Sequence, residues 1–596
     1  MASLITFLLP FLHLCTGSLA WQQDDLTVNT LNGKVQGVRL SVLGHDVRAF
    51  LGIPYAKPPL GELRFRPPKP PLKWEGVKKA AQFPNTCYQL PDTVYPGFNG
   101  AEMWNPNTAV SEDCLYLNIW TPQLKSQQQA LPVLVWIYGG GFNSGTSSLA
   151  VYDGRFLSQS ENVVVVLGAL GFLSLPGNDN IRGNAGLLDQ QLALRWVADN
   201  IAFFGGDPSK VTLFGESAGA ASVGYHLLSP GSHGLFKRAV LQSACPTAPW
   251  ASLSQAQIWN RTWTLASLLG CPLSPEADLE RCLQRADPED IVTQQYELLQ
   301  PSALQLPFLP SVDGDFLPDE PEVLLKTGNF KRTEVLVGLN KNEGSYFLLY
   351  GMPGYSLAGE SLISRKDFLE GIQLALPGTS NATKEATIFQ YTNWSDVEDK
   401  MKNRDALGGL IGDQLFSCPT LEFVRRYSQH GGKAFLYLFD HRSSNNPWPA
   451  WMGVMHGYEI EFVFGMPLDA SLKYTEREVN MSRSFMKHWA NFARTGNPSL
   501  SGAPWPPYEA ESQVYVTLNT NPLQQKSKMI AQQCQFWTHL LPQIQRVSAS
   551  YHGSNSSAPS NTADSNDNLV RCVTCAISML DGAFVKVDFF VPLFSR

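Results

Sequence analysis

The sequence predicts an α/β fold with a large, mostly parallel central sheet flanked by helices. Two observations predict it: several short runs apolar on both strand faces, and a strand, sharp glycine turn and helix repeated through the first half of the chain. The 596 residues, 44% of them hydrophobic, are enough to bury one large core.

Taken in order, residues 4–15 are an apolar run followed by the small residues Gly17-Ser18-Leu19-Ala20, which predicts a signal peptide over 1–20, although no basic residue precedes the run. Residues 21–80 read as short strands and proline turns. Residues 131–138 form a strand apolar on both faces and lead into Gly139-Gly140-Gly141. Residues 163–167 are a second such strand, and 187–196 carry apolar residues at helical spacing. Residues 211–214 are a third strand ending at Gly215, and 218–228 continue as a helix. Later strands are expected at 335–339 and 434–439, with a helical, loop-rich cap or wall over 345–430. The catalytic domain spans 21–545; Ser, Asn and Asp dominate 548–568, so 546–596 is expected to be a low-complexity, disordered tail.

The net charge of -7 comes from 45 basic and 52 acidic residues spread evenly, which excludes the clustered basic footprint of a nucleic-acid binder. The apolar run at 163–175 is too short for a membrane span. Of ten cysteines, Cys15 leaves with the leader and the remaining nine cannot all pair in one chain. Sequons at Asn260, Asn381, Asn393, Asn480 and Asn555, taken with the leader, point to a secreted, extracellular glycoprotein.

Gly215-Glu216-Ser217-Ala218-Gly219 matches G-x-S-x-G, the nucleophile elbow of an α/β-hydrolase. The serine needs a tight strand-to-helix turn, and flanking glycines remove side chains that would collide there. The helix that follows aims its first N–H groups at developing negative charge. The amides of Gly140, Gly141 and Ala218 are candidate oxyanion donors; no Gly-Lys-Ser/Thr follows the glycines, so they do not read as a phosphate loop. The expected order of serine, acid and histidine leaves His430, His441, His456, His488 and those farther on. His456 lies in a glycine-flanked turn, Gly453-Val454-Met455-His456-Gly457, suited to presenting an imidazole, and is the preferred base. For the acid, Glu343 follows a predicted strand beside Gly344, with Asp413 and Asp440 as competitors. This chemistry calls for no metal or cofactor.

Several motifs together carry a resemblance: Phe50-Leu51-Gly52-Ile53-Pro54-Tyr55-Ala56, Ser111-Glu112-Asp113-Cys114-Leu115-Tyr116-Leu117-Asn118, the triple glycine, the elbow, and Asn342-Glu343-Gly344-Ser345. From about residue 24 to 537 the chain resembles the cholinesterases of the carboxylesterase/cholinesterase family. The resemblance implies a deep active-site gorge and a triad of Ser217, Glu343 and His456, with choline esters as substrates. Trp104, in Glu102-Met103-Trp104-Asn105-Pro106-Asn107, then offers its indole face to a quaternary ammonium, beside Glu216 and Tyr346. Asp92 and Tyr350 match gorge-mouth positions, where Leu90, Asn143 and approximately Gln295 replace aromatic residues, so weak peripheral binding of bulky cations is expected. Trp250, Leu304 and Leu306 match the acyl pocket; leucines in place of phenylalanines predict broad acyl tolerance, as in the butyrylcholinesterases. The implied disulfides are Cys87–Cys114, Cys271–Cys282 and Cys418–Cys534, with Cys245 free. Attachment to the cell surface stays open, as does a homodimer through the family interface or the tail residues Cys572 and Cys575. A general carboxylesterase without choline preference and a non-catalytic adhesion relative are the alternatives.

Overall fold

The computed structural model describes residues 25–555, apart from 124–128, 168–171, 176–177, 179, 300–301 and 305. In chain order its strands are β1 (Thr27–Thr30), β2 (Gly33–Gln36), β3 (Val38–Val42), β4 (His45–Pro54), β5 (Val77–Lys79), β6 (Tyr116–Pro122) and β7 (Leu131–Ile137). There follow β8 (Val164–Leu167), β9 (Gly206–Glu216), β10 (Arg238–Gln242), β11 (Glu334–Asn340), β12 (Lys433–Phe439), β13 (Val514–Leu518) and β14 (Gln524–Ser527). Eleven of them form one sheet in the order β14-β13-β12-β11-β10-β9-β7-β8-β6-β4-β3, and β1, β2 and β5 make a small separate one. From β13 through β8 the pairing is parallel throughout, while both edges are antiparallel. This is the α/β-hydrolase architecture the sequence predicts.

Strand β7 shows why its sequence is apolar on both sides. All seven residues are buried. Val133, Val135 and Ile137 enter one core, and Leu134 and Trp136 enter another on the opposite face. The helix Ala218–Leu228 packs on β7, β9 and β10, and the helix Glu476–Thr495 packs on β7 and β9. Their buried residues fall into the first and second cores respectively, so β7 is covered on both faces.

The segment 345–430 is helical as expected, with helices Ser345–Leu348, Arg365–Ala375, Asn381–Tyr391, Lys400–Gly412 and Cys418–Gln429. The disulfides Cys87–Cys114, Cys271–Cys282 and Cys418–Cys534 are formed, and Cys245 is free and buried. Among the described residues, no helix is long and apolar enough to cross a membrane. The chain divides into two compact units, one ending at Pro542 and the other beginning at Gln543. A helix occupies Leu541–Asn555, so the tail expected from residue 546 begins as helix. The rest of that tail, with Cys572 and Cys575, and the leader over 1–20 lie outside the described residues.

Candidate active site

Strands β11, β10, β9 and β7 are consecutive parallel neighbours. Their carboxyl ends deliver Glu343, Ser217 and the triple glycine to one rim of the sheet, where α/β proteins place their ligands. Ser217 follows β9 directly and precedes the helix Ala218–Leu228. Its φ of 57° and ψ of −126° lie where non-glycine residues are strained, at a cost of about 1–3 kcal/mol. The flanking glycines are required by close packing. A Cβ on Gly219 would stand 2.0 Å from the Ile137 carbonyl oxygen, and one on Gly215 would stand 2.6 Å from the same atom. No side chain fits there.

The triple glycine lies against this turn. A Cβ on Gly139 would fall 2.9 Å from Ser217 Cβ and 2.8 Å from Glu216 Oε2. Gly140 and Gly141 have φ of 107° and 60°, and the Asn143 and Ser144 amides donate to the Gly140 carbonyl at 3.1 and 3.0 Å. That turn leaves the Gly140 and Gly141 amides, like the Ala218 amide, with no acceptor among the described residues.

His456 and Glu343 are brought together by two stitched loops. The Asn342 amide donates to the Val454 carbonyl, and the Val454 amide donates to Asn342 Oδ1, both at 2.9 Å. Ser345 Oγ donates to the Met452 carbonyl at 2.7 Å. In this clamp Glu343 Oε2 meets His456 Nδ1 at 2.7 Å, while the Asn340 amide holds Glu343 Oε1 at 2.6 Å. His456 Nε2 faces Glu216 Oε1 at 3.1 Å but off hydrogen-bonding angle, so this nitrogen is uncommitted beside the serine turn. The competing acids are elsewhere: Asp413 accepts from the Tyr391 hydroxyl, and Asp440 pairs with Lys341.

The electrostatics centre on this imidazole. Burial lowers its pKa, but the carboxylates of Glu216, Glu343 and Glu459 raise it, to about 9 overall. Burial pushes Glu216 up to about 8 against the pull of His456, with Glu459 and Glu343 adding to the rise.

A sequence model of the carboxylesterase family matches residues 24–537. The chain is also 51% identical over 540 residues to an acetylcholinesterase from Bungarus fasciatus, covering 89% of each chain. It is 50% identical over 548 residues to a cholinesterase from Mus musculus, covering 90% of each, and 48% identical over 587 to an acetylcholinesterase from Danio rerio, covering 91% and 92%. The chain belongs to the carboxylesterase family.

In this carboxylesterase, the residues expected to take choline gather beside His456. A Cβ on Gly457 would lie 3.6 Å from both the Trp104 ring and Glu216 Oε1. The Trp104 loop is held by its own motif: Glu102 accepts from the Gly97 amide and from Asn105 Nδ2, and Asn107 Nδ2 donates to the Ser148 carbonyl. Trp104 and Tyr346 pack against one aromatic cluster containing Trp448 and Tyr458. Tyr350 donates to Asp92 at 2.7 Å and lies 3.2 Å from the Tyr346 hydroxyl, linking the two expected mouth residues to one expected to face choline.

On the acyl side, Trp250 donates to the Leu415 carbonyl at 2.8 Å, and its ring lies 5.6 Å from that of Phe416. Leu306 lies over the triple-glycine loop, with Cδ2 2.6 Å from where a Gly141 Cβ would stand. Leu304 is half-buried on the main core. Sequence reasoning missed four parts of the site. Phe416 and Phe347 put their rings 4.4 and 5.4 Å from the His456 ring. Arg261 donates to the carbonyls of Leu306 and Pro307 at 2.7 and 2.6 Å and anchors the loop that carries Leu306. Glu459, fully buried, accepts from Gln242 at 2.9 Å and Asn340 at 2.6 Å. Two glutamates inside the apolar run 458–464 were its available signal. Phe416 sits in a π-helical turn, Asp413–Ser417, which carries no local sequence mark. Of the sequons, Asn260, Asn381 and Asn480 are exposed and Asn393 is half-buried; the Asn555 side chain lies outside the described residues.

Proposed function

We propose that this chain is a secreted serine esterase that hydrolyses choline esters, acetylcholine and longer acylcholines alike, to choline and a carboxylate. The observation that carries the reading is His456, held by Glu343 at 2.7 Å and turned toward the Ser217 elbow, with the Trp104 indole and Glu216 meeting beside it over Gly457. His456 Nε2 takes the Ser217 proton as the oxygen attacks the ester carbonyl, and Glu343 fixes the tautomer and steadies the imidazolium. The amides of Gly140, Gly141 and Ala218 receive the tetrahedral oxyanion, each worth about 3–4 kcal/mol in a serine hydrolase. The imidazolium returns its proton to the departing choline oxygen. Water then repeats the attack on the acyl-enzyme.

A quaternary ammonium has no N–H to donate, so its recognition falls to the indole face, worth up to about 2 kcal/mol when desolvated. The naming of three relatives as acetylcholinesterase or cholinesterase supports the same substrate class. The wide acyl preference rests on Leu304 and Leu306, and glycans are proposed at the exposed sequons. Steady-state kinetics with acetyl-, propionyl- and butyrylcholine, and with a neutral isostere of butyrylcholine, tests the proposal. The choline esters should exceed the neutral ester in kcat/KM by about tenfold or more, with butyryl accepted nearly as well as acetyl. Equal rates on charged and neutral esters would leave a general carboxylesterase, and a Ser217→Ala protein with full activity would remove the serine mechanism.

A further inference from the structure

Beside the expected gorge-mouth positions Asn143 and Gln295, which line it, lies a partly open cavity of about 220 Å³. It lies behind the acyl wall: Phe142, next in chain to Gly141, and Phe308, two residues past Leu306, both line it. Most of its other walls are apolar, and its rim includes the half-buried Ile291 and Val292 of the helix Pro288–Gln294. Its charged groups divide sharply. Arg64 is held by Glu112 through two hydrogen bonds of 2.5 and 2.6 Å, and Arg66 by Glu280 at 2.6 Å. Asp189, on the helix Ala185–Asn200, also lines the cavity, is 7% exposed, and has no hydrogen-bond or ion-pair partner among the described residues. Close by, the buried Tyr55 hydroxyl is equally without a partner among the described residues, and the Asp189 carboxyl acts on it.

An unpaired carboxyl in such surroundings is a marked exception, since buried charges are normally paired or coordinated. Burial alone pushes this one well above the usual carboxylate range. We propose that this cavity is a second cation site, which takes a primary amine or guanidine on a small apolar body and pairs its N–H donors with Asp189. The ligand class follows from the walls. A cavity of about 150 Å³ already holds benzene, so one ring on a short aminoalkyl arm matches the space. The site differs in kind from the indole at Trp104, which favours a cation with no N–H to give. An occupant would bear on Phe142 and Phe308, and through them on the acyl wall and oxyanion loop.

The test is isothermal titration of the full chain with phenethylammonium and with its N,N,N-trimethyl counterpart, both in saturating tetramethylammonium. Titrating tetramethylammonium by itself reports on the choline site, so failure of that reading is seen separately. Phenethylammonium is expected to bind one-to-one, and the trimethyl compound at least tenfold more weakly. Asp189→Asn should weaken phenethylammonium at least tenfold, and Val292→Trp, which fills the cavity from its rim, should do the same. Absence of binding, equal affinity of the two compounds, or binding undiminished in Val292→Trp would each overturn the proposal. If Asp189→Asn does not fold, the methylation comparison and Val292→Trp decide it.

Discussion

His456 stands among three carboxylates, and in the proposed mechanism its protonation decides whether Ser217 can be activated. Only the neutral imidazole accepts the serine proton, so kcat/KM falls as pH drops through its pKa. Glu216 raises that pKa whenever it is ionised. Glu216→Gln removes the raising charge, lowers the pKa, and should move the acidic limb of the kcat/KM profile to lower pH; an unmoved or raised limb would contradict the electrostatic picture. Leu306 makes a second prediction at this scale. Its side chain lies over the oxyanion loop, so Leu306→Phe adds ring volume where a longer acyl chain must sit. The butyryl-to-acetyl ratio of kcat/KM should fall by about 10–200-fold, measured on the two choline esters. Most of these residues were legible in the sequence because short motifs with strict backbone demands carry them. Phe416 and Arg261 were not. Each reaches the site from a segment whose own pattern serves a local helix, and only chain folding brings a ring against His456 or a guanidinium onto the acyl loop.

At the scale of elements, the site depends on turns more than on the strands they end. The strand, turn and helix at Ser217 were read directly, and the helix Ala218–Leu228 occupies the predicted residues. Strand β9 begins earlier than predicted, at Gly206, because Asp207 to Lys210 carry no apolar pattern yet lead into the sheet. The helix Leu541–Asn555 appears where composition predicts disorder, since Ser-rich sequence lowers helix propensity without forbidding a helix. The loop carrying His456 is the most sensitive element. Gly453 has φ 66° and ψ −135°, and a Cβ there would stand 2.3 Å from Asn342 Oδ1, the atom that holds the Val454 amide. Gly453→Ala should break the stitch between the base and acid loops. We expect kcat to fall at least about a hundredfold, with a smaller change in KM, because a misplacement of about 1 Å is costly in a positioned site. Kinetics near the wild type would show that the pairing of Glu343 and His456 does not rely on this clamp.

The whole molecule is tied by disulfides of unequal reach. Cys418–Cys534 spans 116 residues and joins the helices Cys418–Gln429 and Ala531–Gln535, whereas Cys271–Cys282 spans 11. Loop-closure entropy makes the longer crosslink worth about 2 kcal/mol more. The double variant Cys418→Ser, Cys534→Ser should therefore lose more stability in chemical denaturation than Cys271→Ser, Cys282→Ser; the reverse order would mean that native-state strain outweighs chain entropy. By itself the sequence determined the fold class and pointed to the elbow, the glycine turns and the base loop, because each is written in local periodicity or in residues whose backbone geometry few others can adopt; it left the acid open among Glu343, Asp413 and Asp440. Tertiary structure alone decided which carboxylates surround His456, which rings press on it, and that Asp189 faces a cavity without a partner. Those depend on distances between segments far apart in the chain, and periodicity and spacing carry no record of such distances.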